Sequence, residues 1–93
     1  MKVLVIDDDP AIAETVRRTM VSQGWTAAVA ADGITGLDAA SGDDFDVIVL
    51  DIMMPGRSGY EVVRDLRRSG VWTPVLMLAS AQSASSLGSS SRG

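Results

Sequence analysis

The feature that most constrains the fold is a set of short apolar runs that do not alternate with polar residues. Val3-Leu4-Val5-Ile6, Val47-Ile48-Val49-Leu50 and Val75-Leu76-Met77-Leu78 are each uninterrupted, and Trp25 to Ala30 is a weaker run of the same kind. A strand with one wet face alternates apolar and polar side chains. A strand that is apolar throughout must be covered on both faces, which is the condition of a parallel sheet lying between helices. The intervening segments carry helical signals. Asp9-Pro10 offers an N-cap followed by the residue suited to the first helical position. Ile12, Val16, Thr19 and Met20 follow on one face, and Gly24 stops the helix. Asp32-Gly33 reads as a turn, with Ile34, Leu37 and Ala40 marking a short helix that ends near Gly42. Asp43 to Asp46 reads as a polar loop. Ser58-Gly59-Tyr60-Glu61 has capping-box spacing. In the helix it opens, Val62, Val63 and Leu66 face inward, Arg64, Arg67 and Arg68 form a solvated face, and Gly70 ends it. The order β-α-β-α-β-α-β predicts an α/β fold: a doubly wound parallel sheet with right-handed crossovers and helices on both faces.

Composition narrows the chemistry. The 93 residues amount to one small domain, with no cysteine for disulfides or thiolate metal sites and no histidine for imidazole catalysis. A net charge of -4 argues against a nucleic-acid surface. The apolar runs fall far short of the about 20 residues that cross a membrane, and Asp7 interrupts the first run too early for a secretory signal. No glycine-rich phosphate loop follows the first strand, so dinucleotide and P-loop sites are poor fits. Carboxylates remain. Ligands of an open parallel sheet bind at the carboxyl ends of its strands, beside a topological switch point. Asp7 and Asp8 follow the first strand and Asp51 the third. If those strands are neighbours, three carboxylates converge, and such a cluster calls for a cation. Mg2+ suits it, because it binds through one or two carboxylates and pairs with phosphate. A carboxylate beside it can also act as a nucleophile and form an aspartyl phosphate.

Four segments together resemble a known family. Val3 to Pro10 (Val-Leu-Val-Ile-Asp-Asp-Asp-Pro), Asp46 to Gly56 (Asp-Val-Ile-Val-Leu-Asp-Ile-Met-Met-Pro-Gly), Ser58-Gly59-Tyr60-Glu61 and Thr73 to Leu78 (Thr-Pro-Val-Leu-Met-Leu) lie in order and spacing similar to the receiver domain of bacterial two-component response regulators. The resemblance covers residues 2–79. It implies a flavodoxin-like sheet of strand order 2-1-3-4 in a cytoplasmic phosphorelay protein that is not an enzyme. It implies that Asp51 is the phosphoacceptor, charged by a sensor histidine kinase or by acetyl phosphate. It implies that Mg2+ is held by Asp7, Asp8, Asp51 and the backbone carbonyl of Met53, in a loop shaped by Pro55-Gly56. A competing resemblance is weaker: Asp7-Asp8-Asp9 after a first strand is similar to the start of haloacid-dehalogenase phosphatases, with Asp7 as nucleophile and Asp9 as general acid. Ala11 departs from that pattern and no matching lysine is placed.

The receiver pattern also fails at defined positions. Its switch hydroxyl, at the end of the fourth strand, is Ala79 here, and alternation sends Ser80 to the opposite face. Its lysine on the fifth strand has no counterpart, since the only lysine is Lys2, at the wrong end of the sheet. Residues 80–93 hold seven serines and two glycines, with Arg92 the only charge. The expectation is a partial receiver over 1–79, lacking the fifth strand and last helices, followed by a disordered tail over 80–93. An abrupt frame change after Leu78 would produce that loss of pattern. A chain of this kind would accept phosphate but hold and transmit it poorly, or act only by binding as a non-switching remnant. It would have no nucleic-acid or membrane role of its own, and it would tend to self-associate through the bare fourth-strand edge. Trp25, Trp72 and Tyr60 read as packing residues.

Overall fold

The computed structural model describes residues 1–54 and 57–78. The expectations placed on Pro55-Gly56, Ala79, Ser80 and the tail lie outside the described residues. Seven elements follow in order: β1 (Lys2–Ile6), α1 (Pro10–Ser22), β2 (Thr26–Ala30), α2 (Gly33–Gly42), β3 (Val47–Asp51), α3 (Gly59–Arg68) and β4 (Val75–Leu78). The strands form one sheet in the order β2-β1-β3-β4, all parallel. Val3 sits beside Val47 and Ile6 beside Leu50, while Asp51 is level with Leu78.

Two of the unalternating runs, β1 and β3, occupy the middle of the sheet, whereas the third, β4, is its outer strand among the described residues and is not covered on both faces, Leu76 being exposed. Val3, Leu4, Val5 and Ile6 of β1 and Ile48, Val49 and Leu50 of β3 are all buried, whichever face they point to. Alternation divides them between two cores. Val3, Val5 and Val49 pack with Ala13 of α1, flanked by Val16, Met20 and Trp25. Leu4, Ile6, Ile48 and Leu50 pack with Val62 and Leu66 of α3 and Ala40 of α2. β2 is an edge strand and mostly exposed, which accounts for its weak apolar signal.

Several residues sit differently from what their sequence pattern predicts. Asp32 is not part of a turn: it is the N-cap of α2, its carboxylate accepting the Thr35 N–H at 2.7 Å. Ile34 does not face the core and is 70% exposed. The buried face of α2 is Gly33, Gly36 and Ala40, because the helix lies close to the sheet. A Cβ on Gly36 would fall 2.5 Å from Cδ1 of Ile6. Phe45, within the acidic loop, packs against the core, and the Lys2 ammonium lies over its ring. Arg67 is not on a solvated face. Its guanidinium donates to the carbonyls of Val71 and Thr73, both at 2.9 Å, and lies over Trp72, which is itself exposed. Tyr60 is also exposed.

The capping box at α3 is as expected. Ser58 Oγ accepts the Glu61 N–H, and the Glu61 carboxylate accepts the Ser58 N–H at 2.9 Å. Ser58→Ala leaves a first-turn donor without its partner and is expected to cost about 1 kcal/mol, with Ser58→Gly costing markedly less. Thermal melts of the two variants check this; equal losses would remove the cap from the account.

Candidate functional site

Parallel pairing of β1 with β3 brings the residues that follow them to one end of the sheet. Asp51 is the last residue of β3, and Asp7 and Asp8 begin the connection from β1 to α1. One carboxylate oxygen from each of Asp7, Asp8 and Asp51 lies within 4.8 Å of the other two. Asp7 and Asp51 are each 5% exposed, whereas Asp8 is open to solvent. The convergence therefore follows from strand order, which the sequence left conditional.

Main-chain groups fix the buried pair. Asp7 Oδ1 accepts the Asp9 N–H at 2.9 Å, and the Asp7 N–H donates to the Ala30 carbonyl at 3.1 Å. Asp51 Oδ1 accepts the Met53 N–H at 3.2 Å. Ile52 is pinned twice, its N–H donating to Leu78 O at 3.0 Å and its carbonyl accepting the Gly59 N–H at 2.8 Å. Met53 thus lies beside Asp51 with its side chain 61% exposed, leaving its main chain as the part next to the site. Asp9 stands apart from the cluster. Its carboxylate caps α1, accepting the Ala11 and Ile12 N–H groups at 2.9 and 3.3 Å, so it is not poised as a general acid for Asp7.

The electrostatics are one-sided. Burial, first of all, raises the Asp7 carboxyl above its ordinary value, and the negative charges of Asp51, Asp8 and Asp9 raise it further, against the lowering effect of the Asp9 N–H. Among the described residues every ion pair lies elsewhere: Lys2 with Asp43, Arg17 and Arg18 with Glu14, and Arg57 with Asp65. Three carboxylates without a basic partner, one of them open to solvent, form the donor set of a hard divalent cation. A groove of about 410 Å³ leads away from Asp7 and Asp8, floored by Ala13, Val29 and Ala31.

The model of the response regulator receiver domain matches residues 3–90. The chain belongs to the receiver domain family. Receivers are signalling modules of two-component systems and not catalytic enzymes. The transcriptional regulatory protein TcrA of Mycobacterium tuberculosis is 44% identical over 78 residues, which are 84% of this chain and 31% of that protein. The chain therefore spans less than a third of the length of that relative. The response regulator TrrA of Thermotoga maritima, solved in complex with Mg(2+)-BeF, is 30% identical and superposes with a TM-score of 0.79, over 95% of this chain and 77% of that one. TrrA solved in complex with the histidine kinase ThkA is 30% identical with a TM-score of 0.77, over 85% of this chain and 68% of that one. The sheet order 2-1-3-4 and the acidic pocket of Asp7, Asp8 and Asp51 are thus those of a receiver. No described helix is long and apolar enough to cross a membrane.

Proposed function

We propose that this receiver accepts a phosphoryl group on Asp51 from a sensor histidine kinase in a Mg2+-dependent step. The observation that carries the reading is the meeting of Asp7, Asp8 and Asp51 within 4.8 Å, with none of the ion pairs among the described residues made to them. Asp51 Oδ1 accepts the Met53 N–H, and among the described residues none donates to Oδ2, the oxygen that attacks phosphorus. A new O–P bond forms on Asp51 as the donor's bond to phosphorus breaks, and the leaving group keeps that electron pair. Asp7 and Asp8, with Asp51 and the Met53 carbonyl, would hold the cation. When bound, Mg2+ offsets the repulsion between the carboxylates and the incoming phosphoryl oxygens.

TrrA, a relative solved in complex with the histidine kinase ThkA, supports a kinase partner, and the reading includes a cytoplasmic location with it. Lys2 pairs with Asp43 at the opposite end of the sheet and does not reach Asp51. The reading also includes self-association through β4, the outer strand among the described residues, whose Leu76 is 54% exposed.

The test is intact mass after incubation with acetyl phosphate and Mg2+. One phosphoryl adduct is expected on the wild type, and none on Asp51→Asn or in excess chelator. No adduct on a folded sample, or an adduct that survives Asp51→Asn, overturns the assignment; survival there with loss in Asp7→Asn would favour the phosphatase-like alternative.

A further inference from the structure

We propose that Arg57 is a positioning residue for the cation site, and that Gly33, on a different helix, is the seat that lets it act. This rests on the Mg2+ reading above. Arg57 follows Met53 by four residues, so it lies on the segment that carries the carbonyl assigned to the cation. Its guanidinium donates to Asp65 in α3, with the two side chains 38% and 22% exposed. Its aliphatic stem lies against the first residue of α2. A Cβ on Gly33 would fall 3.1 Å from Arg57 Cδ and 2.8 Å from Val62 Cγ2, so the stem occupies space that any larger residue at 33 would need.

One side chain therefore ties the segment after Asp51 to two helices at once. Before the two residues outside the described set, Ile52 and Met53 are held by main-chain bonds. After them, Arg57 is held by Asp65 and Ser58 by its cap on α3. An exposed ion pair on a surface helix contributes little. This pair differs because its acid is largely shielded and because the arginine stem is packed as well as paired. Mg2+ demands near-ideal octahedral geometry, so a ligand-bearing segment loosened at Arg57 binds it less well. The guanidinium meets Asp65 through one nitrogen, Nη1, a contact that a lysine of similar reach and the same charge can replace.

The experiment is isothermal titration of Mg2+ into the metal-free full chain, with a thermal melt of each variant to establish folding. Arg57→Met and Asp65→Asn are each expected to weaken Mg2+ binding by on the order of tenfold, the scale of outer supporting groups at metal sites. Gly33→Ala is expected to weaken it in the same direction from outside the segment, and Arg57→Lys to retain most of the affinity. Asp65→Asn keeps its shape and carries the test should Arg57→Met not fold. Unchanged Mg2+ affinity in folded Arg57→Met or Asp65→Asn overturns the proposal, as does an Arg57→Lys variant as weak as Arg57→Met. A wild type that binds no Mg2+ is a different result, because it removes the reading of the site itself.

Discussion

Replacing Asp7 with asparagine is expected to stabilise the metal-free protein while weakening its Mg2+ binding by about 10–100-fold. The two effects share one cause. Asp7 is 5% exposed and its oxygen lies within 4.8 Å of those of Asp8 and Asp51. Two unit charges about 4–5 Å apart repel by about 1 kcal/mol in water and about 4 kcal/mol at an effective dielectric of 20. Asparagine keeps the shape and the oxygen that accepts the Asp9 N–H, but removes the charge. A net gain of about 1 kcal/mol raises the melting temperature by about 4–8 °C in a domain of this size. The pH dependence has a defined sign. The folded state raises the Asp7 carboxyl, chiefly by burial, so it binds the proton more tightly than the unfolded chain does. This contribution to stability is complete below the ordinary aspartate value and is lost as pH rises through the raised one. Added Mg2+ is expected to reverse the trend, since a metal ligand must be an ionised carboxylate. Asp32, lowered by the Thr35 N–H, Asp43, lowered by Lys2, and Glu14, lowered to about 2 by Arg17, act with the opposite sign on the acid side. Asp32 and Asp43 are exposed and Glu14 is half-exposed, and their effect on stability is small. Melts of wild type and Asp7→Asn across this pH range, with chelator and with Mg2+, check the pattern. A lower melting temperature for chelated Asp7→Asn would remove the account of a strained acidic cluster.

The parts legible in the sequence were those where one physical demand acts alone. Both-face burial writes itself into β1 and β3 as unbroken apolar runs, and the Asp7, Asp8 and Asp51 cluster follows once those strands are neighbours. α2 was half legible. Its existence showed in the periodicity, but its buried face did not, because large apolar residues such as Ile34 dominate a periodic reading. The helix lies so close to Ile6 and Arg57 that only Gly33 and Gly36 fit against them. Arg67 was misread because its role depends on the chain turning back, so that Val71 and Thr73 present their carbonyls to it. The Arg57–Asp65 pair joins a loop to a helix eight residues on, a separation that no helical or strand period marks.

Gly59→Ala is expected to destabilise the protein by about 1–3 kcal/mol, the range for overpacking a closely fitted site. Helix propensity alone points the other way, since alanine is favoured over glycine within a helix by about 1 kcal/mol. The neighbours decide the sign. A Cβ on Gly59 would fall 2.6 Å from the carbonyl oxygen of Asp51, 2.8 Å from Met77 Cε and 3.0 Å from Ile52 Cα. Met77 can swing aside, but the other two contacts are main chain, and the Gly59 N–H is itself held to Ile52 O at 2.8 Å. α3 can make room only by pulling away from the end of β3 or by turning the peptide of Asp51. Either movement acts on the residue assigned to attack phosphorus. Gly59→Ala should therefore react with acetyl phosphate more slowly than the wild type even at a temperature where both are folded. Denaturant titration gives the stability loss, and the initial rate of adduct formation gives the second effect. A variant as stable and as reactive as the wild type would mean that β3 and α3 do not meet this closely, and the placement of Asp51 would lose its support.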